Sequence, residues 1–462
     1  MSTAKQTLWF LVASCAVVTI LWLPGLWYYA PWNDTAVYAL LGQSVLENGQ
    51  YAVLGVPESK YLPLHALFSV PFVLLGGYKV GMALTTLVAG WGVLVAGYFL
   101  LQKLFSRPVA IGATILLTFH HAFVLMTQQG SADLLFTALF LASLLGYVLA
   151  KDDRRWYLLA GIAAGLACLT RYNGAPLFVL FLGFTYWKRP KHLRSPWFQW
   201  GMIVGAVLFG LWFVRNALVF GDPFHTDYTG ELATHTRGFF SQIFSNVFYY
   251  ADPVHNLLPV FFLAALYGLW KLRKTHVFAM LAMCSAWVLT AFWWVQAMRF
   301  AFPGYVILAG FAVAGFLAVA KQYRRRLVPF IVISTVLVVP MHAAALCLYS
   351  YGPCNAFMDR TVGILPKNLG LSPEGFWTWE QSRRFLNGKT SLKGTVVVDT
   401  PWNAAVWQEL FRPDLRVTDE KTFSLRPSCP SYRITQKPNA SHRPLFSTLD
   451  EPTTSVMESP CP

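Results

Sequence analysis

Long uninterrupted apolar blocks constrain this chain more than any other feature. They recur from Thr7 to about residue 349, separated by short polar loops. A run of roughly 18 or more apolar residues is long enough to cross the hydrocarbon core of a bilayer as a helix. Lipid offers backbone polar groups no water, so a spanning segment must satisfy them internally. The chain is 56% hydrophobic and 12% charged, about half the charged share of a soluble domain. These facts predict an all-α polytopic membrane protein with about eleven transmembrane helices. The expected spans are 7–29, 79–102, 108–127, 131–150, 156–170, 173–187, 197–220, 254–270, 276–296, 300–320 and 327–349. The first lacks a cleavage site and reads as a retained anchor. The segment 62–77 is apolar but short and contains Pro63, Pro71, Gly76 and Gly77. It is expected to be re-entrant or interfacial.

The net charge of +15 does not imply a nucleic-acid partner, because the cations lie in short loops between apolar blocks. Placing Lys5 in the cytoplasm and leaving 62–77 non-spanning puts every second loop inside. Those loops carry Lys103 and Arg107; Lys151, Arg154 and Arg155; Lys188, Arg189, Lys191 and Arg194; Lys271, Arg273 and Lys274; and Lys321, Arg324, Arg325 and Arg326. The opposite loops carry few cations, as the positive-inside rule requires. A spanning 62–77 would invert the pattern.

Residues 1–349 therefore form the expected transmembrane domain, and 350–462 an extracytoplasmic one. In the latter, Ser372-Pro373 opens a helix pattern ending at Gly388, 395–398 reads as a strand, Thr400-Pro401 opens a second helix, and 415–418 reads as another strand. This predicts a small α/β appendage. The tail after Leu425 is rich in Pro, Ser and Thr and is expected to be loosely ordered. Of seven cysteines, Cys15, Cys168 and Cys284 sit in apolar blocks, while Cys347, Cys354, Cys429 and Cys461 fall near or in the polar part. A disulfide among the last four is open, with no pairing readable.

Polar residues gather at the outer face. Along 33–49, Val37, Leu40, Leu41 and Val45 share one helical face, with Gln43, Glu47 and Asn48 elsewhere and Asn48-Gly49 as a stop. This is an interfacial amphipathic helix. Asp34 at its N-terminus is equally readable as a cap or as a catalytic carboxylate; Asn33 could cap in its place. Asp133, taken alone, reads as a cap at the start of a span. Arg171, at a tight outer turn, runs against the inside bias, and its readings are an anion site or a headgroup contact. Lys60, Lys79, Arg215 and Arg299 also stand at outer ends, where several cations could hold a phosphate. Asp222, His225, Asp227, Glu231, His235 and His255 match no metal-ligand spacing. His120 and His121 lack a helical i,i+4 partner. No cofactor is indicated, and a divalent metal is left open.

Five stretches carry a resemblance: Asn33-Asp34-Thr35-Ala36-Val37-Tyr38, Lys60-Tyr61-Leu62-Pro63-Leu64-His65, Gly130-Ser131-Ala132-Asp133, Gly165 through Thr170-Arg171-Tyr172-Asn173-Gly174, and Met298-Arg299-Phe300-Ala301-Phe302-Pro303. In this order and on this topology they resemble the polytopic glycosyltransferases of the GT-C superfamily, over roughly residues 7–320. The likeness is to bacterial relatives of the dolichyl-phosphate-mannose protein mannosyltransferases and of the aminoarabinose transferases. Where that family often has two adjacent acids, this chain has Asn33-Asp34-Thr35. The resemblance implies a GT-C-like fold, a polyprenyl-phosphate-sugar donor, and a glycan, lipid or protein acceptor. It implies Asp34 as the catalytic base of an inverting transfer. Arg171, Lys60 and Arg299 would bind the donor phosphate, and Asp133, His65, Asn173 and Tyr38 would orient substrate. Two other classes are weighed against it. A transporter or flippase of lipid-linked substrates would place ionisable groups at the midplane and show paired repeats; neither is visible. A scaffold presenting 350–462 would need neither Asp34 nor Arg171. A glycan on the sequon Asn33-Asp34-Thr35 would crowd the site, which points to a bacterial inner membrane; a second sequon lies at Asn439-Ala440-Ser441.

The charge bias makes a direct prediction. A reporter active only outside the membrane, fused after Ser350, should be active, and the same reporter fused after Lys191 should be silent. The opposite result would invert the topology.

Overall fold

The computed structural model describes residues 2–28, 33–53, 55–128, 130–229, 239–251, 259–293 and 297–322, together with 382, 385–398 and four short strands further on. The helices are α1 (Thr3–Tyr28), α2 (Asn33–Asn48), α3 (Pro63–Leu104), α4 (Arg107–Thr118), α5 (His121–Gln128), α6 (Asp133–Leu149) and α7 (Trp156–Thr170). They continue with α8 (Pro176–Lys188), α9 (Pro196–Phe220), α10 (Phe239–Ala251), α11 (Pro259–Leu272), α12 (Val277–Trp287) and α13 (Met298–Gln322). A two-stranded hairpin of β1 (Ala52–Val53) and β2 (Val56–Pro57) lies between α2 and α3.

The chain is an integral membrane protein with several apolar helices. Among the described residues four are long and apolar enough to cross a bilayer: Thr3–Leu23, Val80–Leu104, Pro196–Phe220 and Met298–Lys321. Other expected spans fall on shorter helices, including Asp133–Leu149 and Trp156–Thr170. The expected single span 108–127 is instead two helices, α4 and α5, bent by 67°. The break has a local cause. The Thr118 hydroxyl bonds back to the Thr114 carbonyl at 2.8 Å, a contact that bends helices, and the His120 amide closes a tighter turn on the Leu117 carbonyl at 3.0 Å. The expected span 276–296 is also interrupted, α12 giving way to a 3₁₀ turn at Thr290–Phe292. The expected span 327–349 and the helices opening at Ser372 and Thr400 lie outside the described residues, save the helical turn 385–388.

Helix α3 is two helices. Pro63 starts it, its ring pre-setting φ where no amide is needed. It breaks at Gly77, whose φ of 67° and ψ of −179° are accessible essentially to glycine alone. A Cβ on Gly81 would collide with the backbone of Phe72 and Val73. In an unbroken helix, residues eight apart would stand about 12 Å from each other. The chain therefore folds back at Gly77, and Pro63–Gly77 is a short arm laid against the long helix Val80–Leu104. Its length fits the non-spanning expectation.

Helix α2 also forms as expected, closed by Gly49 at φ 66°. Its apolar face is turned into protein and not only toward the membrane surface. Val37, Leu40 and Leu41 are buried with Tyr61, Ala66, Met82 and Ala132, and a Cβ on Gly42 would stand 2.9 Å from the Ala66 carbonyl.

Elsewhere helices meet backbone to backbone. Gly161 and Gly165 of α7 face Gly201 and Gly205 of α9, where added Cβ atoms would run into the opposing carbonyls. Gly268 of α11 and Gly315 of α13 are arranged likewise against Phe311 and Ala264. In lipid, association rests on such close packing of small residues.

Beyond residue 390 a five-stranded sheet forms in the order β4-β3-β5-β7-β6, with β3 (Gly394–Val398), β4 (Leu415–Asp419), β5 (Ser431–Thr435), β6 (Arg443–Ser447) and β7 (Ser455–Ser459). β3 pairs in parallel with β4 and β5, and β7 pairs antiparallel with β5 and β6. The two expected strands are present. The expected loosely ordered tail is corrected, because three of the five strands come from it. Each is only five residues long, with Tyr432 and Val456 buried, too short among the surrounding Pro, Ser and Thr to show a period.

The α7–α9 contact predicts a sharp contrast. Gly165→Leu should lower thermal stability in detergent by about 2 kcal/mol or more. Gly210→Ala, at a position with nothing within 4 Å, should hold or slightly raise it.

Candidate active site

Three tight structures converge on one cavity. The α2 N-terminus brings Asp34, the segment after β2 brings Lys60 and Tyr61, and the turn after α7 brings Arg171. Helix α7 ends at Arg171, whose φ of −152° and ψ of 139° are extended. A 3₁₀ turn, Tyr172–Gly174, leads directly into Pro176 of α8. Gly174 is required there, since a Cβ would stand 2.7 Å from the Cys168 amide nitrogen. From the fourth side, α13 brings Arg299 and Phe300. The cavity measures about 500 Å³ and is lined by Asp34, Tyr38, Lys60, Arg171, Asn173 and Arg299, with an aromatic wall that includes Tyr61, Tyr228, Trp293 and Phe300. That volume suits a small ligand headgroup.

The charges are ordered in two layers. Asp133 is fully buried. Its Oδ1 accepts from Arg171 at 2.5 Å, its Oδ2 accepts from the Ser131 hydroxyl at 2.8 Å, and Arg299 stands 3.9 Å from Oδ2. Arg299 reaches the other way to Asp34 Oδ2 at 3.7 Å. Both guanidinium groups face the ring of Phe300, at 4.6 Å for Arg171 and 5.0 Å for Arg299. The Asp34 side chain is 33% exposed and that of Asp133 1%, so Asp34 is the carboxylate that can meet a ligand.

Asp34 has a second partner. The Tyr61 hydroxyl donates to its Oδ1 at 2.7 Å. Burial, and then the Asp34 carboxylate, hold the Tyr61 phenol well above its ordinary range. Lys60 stands 5.2 Å from the Tyr228 ring and 5.7 Å from that of Tyr61. The loop bearing both is pinned from several sides. Glu58 accepts from the amides of Lys60 and Tyr61, and burial raises its carboxyl above the usual range. Ser59 donates to Asp227 at 2.9 Å.

The structure thus brings together Asp34, Tyr38, Lys60, Arg171, Asn173 and Arg299. It places two expected substrate-orienting residues behind the wall. Asp133 is taken up by the arginines and Ser131. His65 is fully buried, its Nε2 paired with the Gly130 carbonyl at 2.9 Å and its ring edge-on to Tyr38 at 4.7 Å. Arg215 is diverted to the carbonyls of Glu58 and Tyr51, at 2.7 and 3.0 Å. Tyr61 and Phe300 were inside recognised stretches yet unassigned, because a phenol or phenyl ring in an apolar run carries no sign of a carboxylate or guanidinium opposite it. Among the described residues no three His, Cys, Asp or Glu side chains are grouped to hold a metal ion. Asp227 is paired with Ser59, and Glu231, His235 and His255 lie outside the described residues.

Residues 63–213 match the family model for dolichyl-phosphate-mannose-protein mannosyltransferase. The fold is similar to that of ArnT from Cupriavidus metallidurans bound to undecaprenyl phosphate, with a TM-score of 0.65 at 14% identity over 99% of this chain and 98% of that one. The apo state of the same protein gives 0.66 at 14% identity, with the same coverage. An oligosaccharyltransferase from Archaeoglobus fulgidus matches with a TM-score of 0.50 at 13% identity, covering 88% of this chain and 62% of that one. No protein of curated function matches in sequence. The family model covers residues 63–213, a third of the chain, and the likeness to solved structures over nearly the whole chain is one of fold.

The two carboxylates should differ in what they support. Asp133→Ala would leave Arg171 buried without its main partner and should destabilise by roughly 3–5 kcal/mol. Asp34→Asn, partly exposed, should cost less than about 1 kcal/mol. Thermal unfolding in detergent compares them.

Proposed function

We propose that this membrane glycosyltransferase moves a sugar from a polyprenyl-phosphate donor to an acceptor on the extracytoplasmic side, inverting the anomeric carbon, with Asp34 as general base. The observation that carries the reading is one partly exposed carboxylate in a cavity that the cations Lys60, Arg171 and Arg299 also line. That is the charge pattern for a hydroxyl or amine nucleophile beside a phosphodiester.

In this reading the acceptor O–H or N–H gives its proton to Asp34 as its heteroatom bonds the anomeric carbon. The bond from that carbon to the phosphate oxygen breaks, and the electron pair leaves on polyprenyl phosphate. A phosphate leaves without protonation, so one carboxylate suffices where glycosidases use two. Lys60, Arg171 and Arg299 stabilise the charge that develops on the phosphate. Asp133 holds both arginines in place, and Phe300 gives both a π-face. Tyr38 and Asn173 line the sugar side. The undecaprenyl phosphate bound by ArnT supports a polyprenyl donor here.

The wider reading places 1–349 as the catalytic transmembrane domain of about eleven spans, in a bacterial inner membrane, with the cavity and residues 350–462 outside. The short arm Pro63–Gly77 and helix α2 would line the donor's approach from the bilayer.

Transfer from a panel of radiolabelled polyprenyl-phosphate sugars tests this. Wild-type membranes should transfer from one donor. Asp34→Asn should lower the rate on the order of 10²–10⁴-fold at normal expression. Lys60→Ala should mainly raise the donor KM, by about tenfold, as loss of one charge-assisted contact implies. No transfer from any donor, with protein-dependent crossing of lipid-linked sugar, would replace this reading with a flippase.

A further inference from the structure

We infer that Tyr61 is a positioning residue for the base: its hydroxyl holds Asp34 by Oδ1 and leaves Oδ2, on the Arg299 side, as the oxygen that takes the acceptor's proton. This rests on the proposed role of Asp34 and deepens it. The geometry is one-sided. The Tyr61 hydroxyl is 2.7 Å from Oδ1, while Arg299 is 3.7 Å from Oδ2, a distance that leaves Oδ2 reachable from the cavity.

Tyr61 is itself held firmly enough to do this. It is 9% exposed. Its carbonyl accepts from the Tyr51 hydroxyl at 3.0 Å, its amide donates to Glu58 at 3.3 Å, and its ring meets Tyr38 edge-on at 5.1 Å. The backbone contacts and the Tyr38 ring hold Tyr61 in place beside the carboxylate. A carboxylate free to turn about its last bond would present either oxygen to the acceptor; one tethered at Oδ1 presents a single face. The acceptor then enters between Asp34 and Arg299, with the donor phosphate between Arg171 and Lys60.

A hydrogen bond donated to the charged form favours that form. The other titratable groups around Asp34 are Arg299 from α13, Arg171 from the turn after α7, Tyr38 from its own helix, Asp133 behind the arginines, and Lys60, His225 and Tyr228 in the lining of the same cavity. Substitution at Tyr61 leaves all of these in place.

The test is the pH profile of kcat/KM for wild type, Tyr61→Phe, and full-length protein carrying 3-fluorotyrosine at position 61. Losing the donor should move the acid limb to higher pH by about 0.5–1 unit and lower kcat by about tenfold, with donor KM within about twofold. The more acidic fluorophenol, a stronger donor of the same shape, should move the limb the other way. Tyr51→Phe serves as the structural control: it loosens the loop and should lower stability without moving the limb. A limb that stays in place in both Tyr61 variants overturns the proposal, even if kcat falls. Should Tyr61→Phe fail to fold, the fluorotyrosine protein decides by the same criterion. Asp34→Asn, assayed in parallel, separates the two ideas. If it keeps full activity, the base assignment fails and this inference with it. If it is inactive while the limb is indifferent to Tyr61, only this inference fails.

Discussion

A carboxylate sealed away from water between two guanidinium groups organises this site. Burying a lone charge is costly, and removal of its partner leaves that cost uncompensated. Asp133 therefore demands Arg171 and Arg299, and each arginine demands it in return. The demand links distant parts of the chain. Asp133 opens α6, Arg171 closes α7, and Arg299 begins α13. These ends must meet at one point, and the cavity is what their meeting leaves. Phe300 completes the arrangement by giving both cations a π-face.

The exposed carboxylate hangs from that frame. Among the described residues, Asp34 reaches the buried layer through Arg299 and the loop through Tyr61. One contact is electrostatic and long, the other short and directional. The loop in turn depends on Arg215, which spends its donors on two backbone carbonyls, and on the Ser59–Asp227 pair. Cations that look equivalent in sequence thus divide into three that line the cavity, Lys60, Arg171 and Arg299, and one, Arg215, that builds its wall.

Much of this could be read without coordinates, and the reason is the bilayer. It penalises charge so strongly that Asp34, Asp133, Arg171 and Arg299 stand out in an apolar chain. It also fixes an inside and an outside. The short, Pro- and Gly-containing segment 62–77 stood out as non-spanning, and Gly77 supplies the backbone at which the chain folds back. What escaped was whatever the bilayer does not price. Hydropathy could not tell a straight span from α4 and α5, because both halves of a bent helix are apolar. Spacing could not tell that Asp133 faces inward and Asp34 outward, since each opens a helix in the same way. In the C-terminal sheet, five-residue strands bordered by Pro and Ser gave too few periods to detect.

The glycine contact between α7 and α9 has a consequence for how such an enzyme can change. Where side chains separate two helices, a substitution on one is absorbed by a rotamer change on the other. Here carbonyls lie directly against Cα atoms, and nothing is left to adjust. Arg171 sits one residue past the end of α7 and inherits that rigidity. Variation in substrate is then expected to accumulate in the aromatic wall, at Tyr228 or Trp293, which lie outside the helix pairs that meet backbone to backbone. The chain separates a frame that cannot drift from a lining that can, and new specificities can be explored at the lining while the charge geometry stays put.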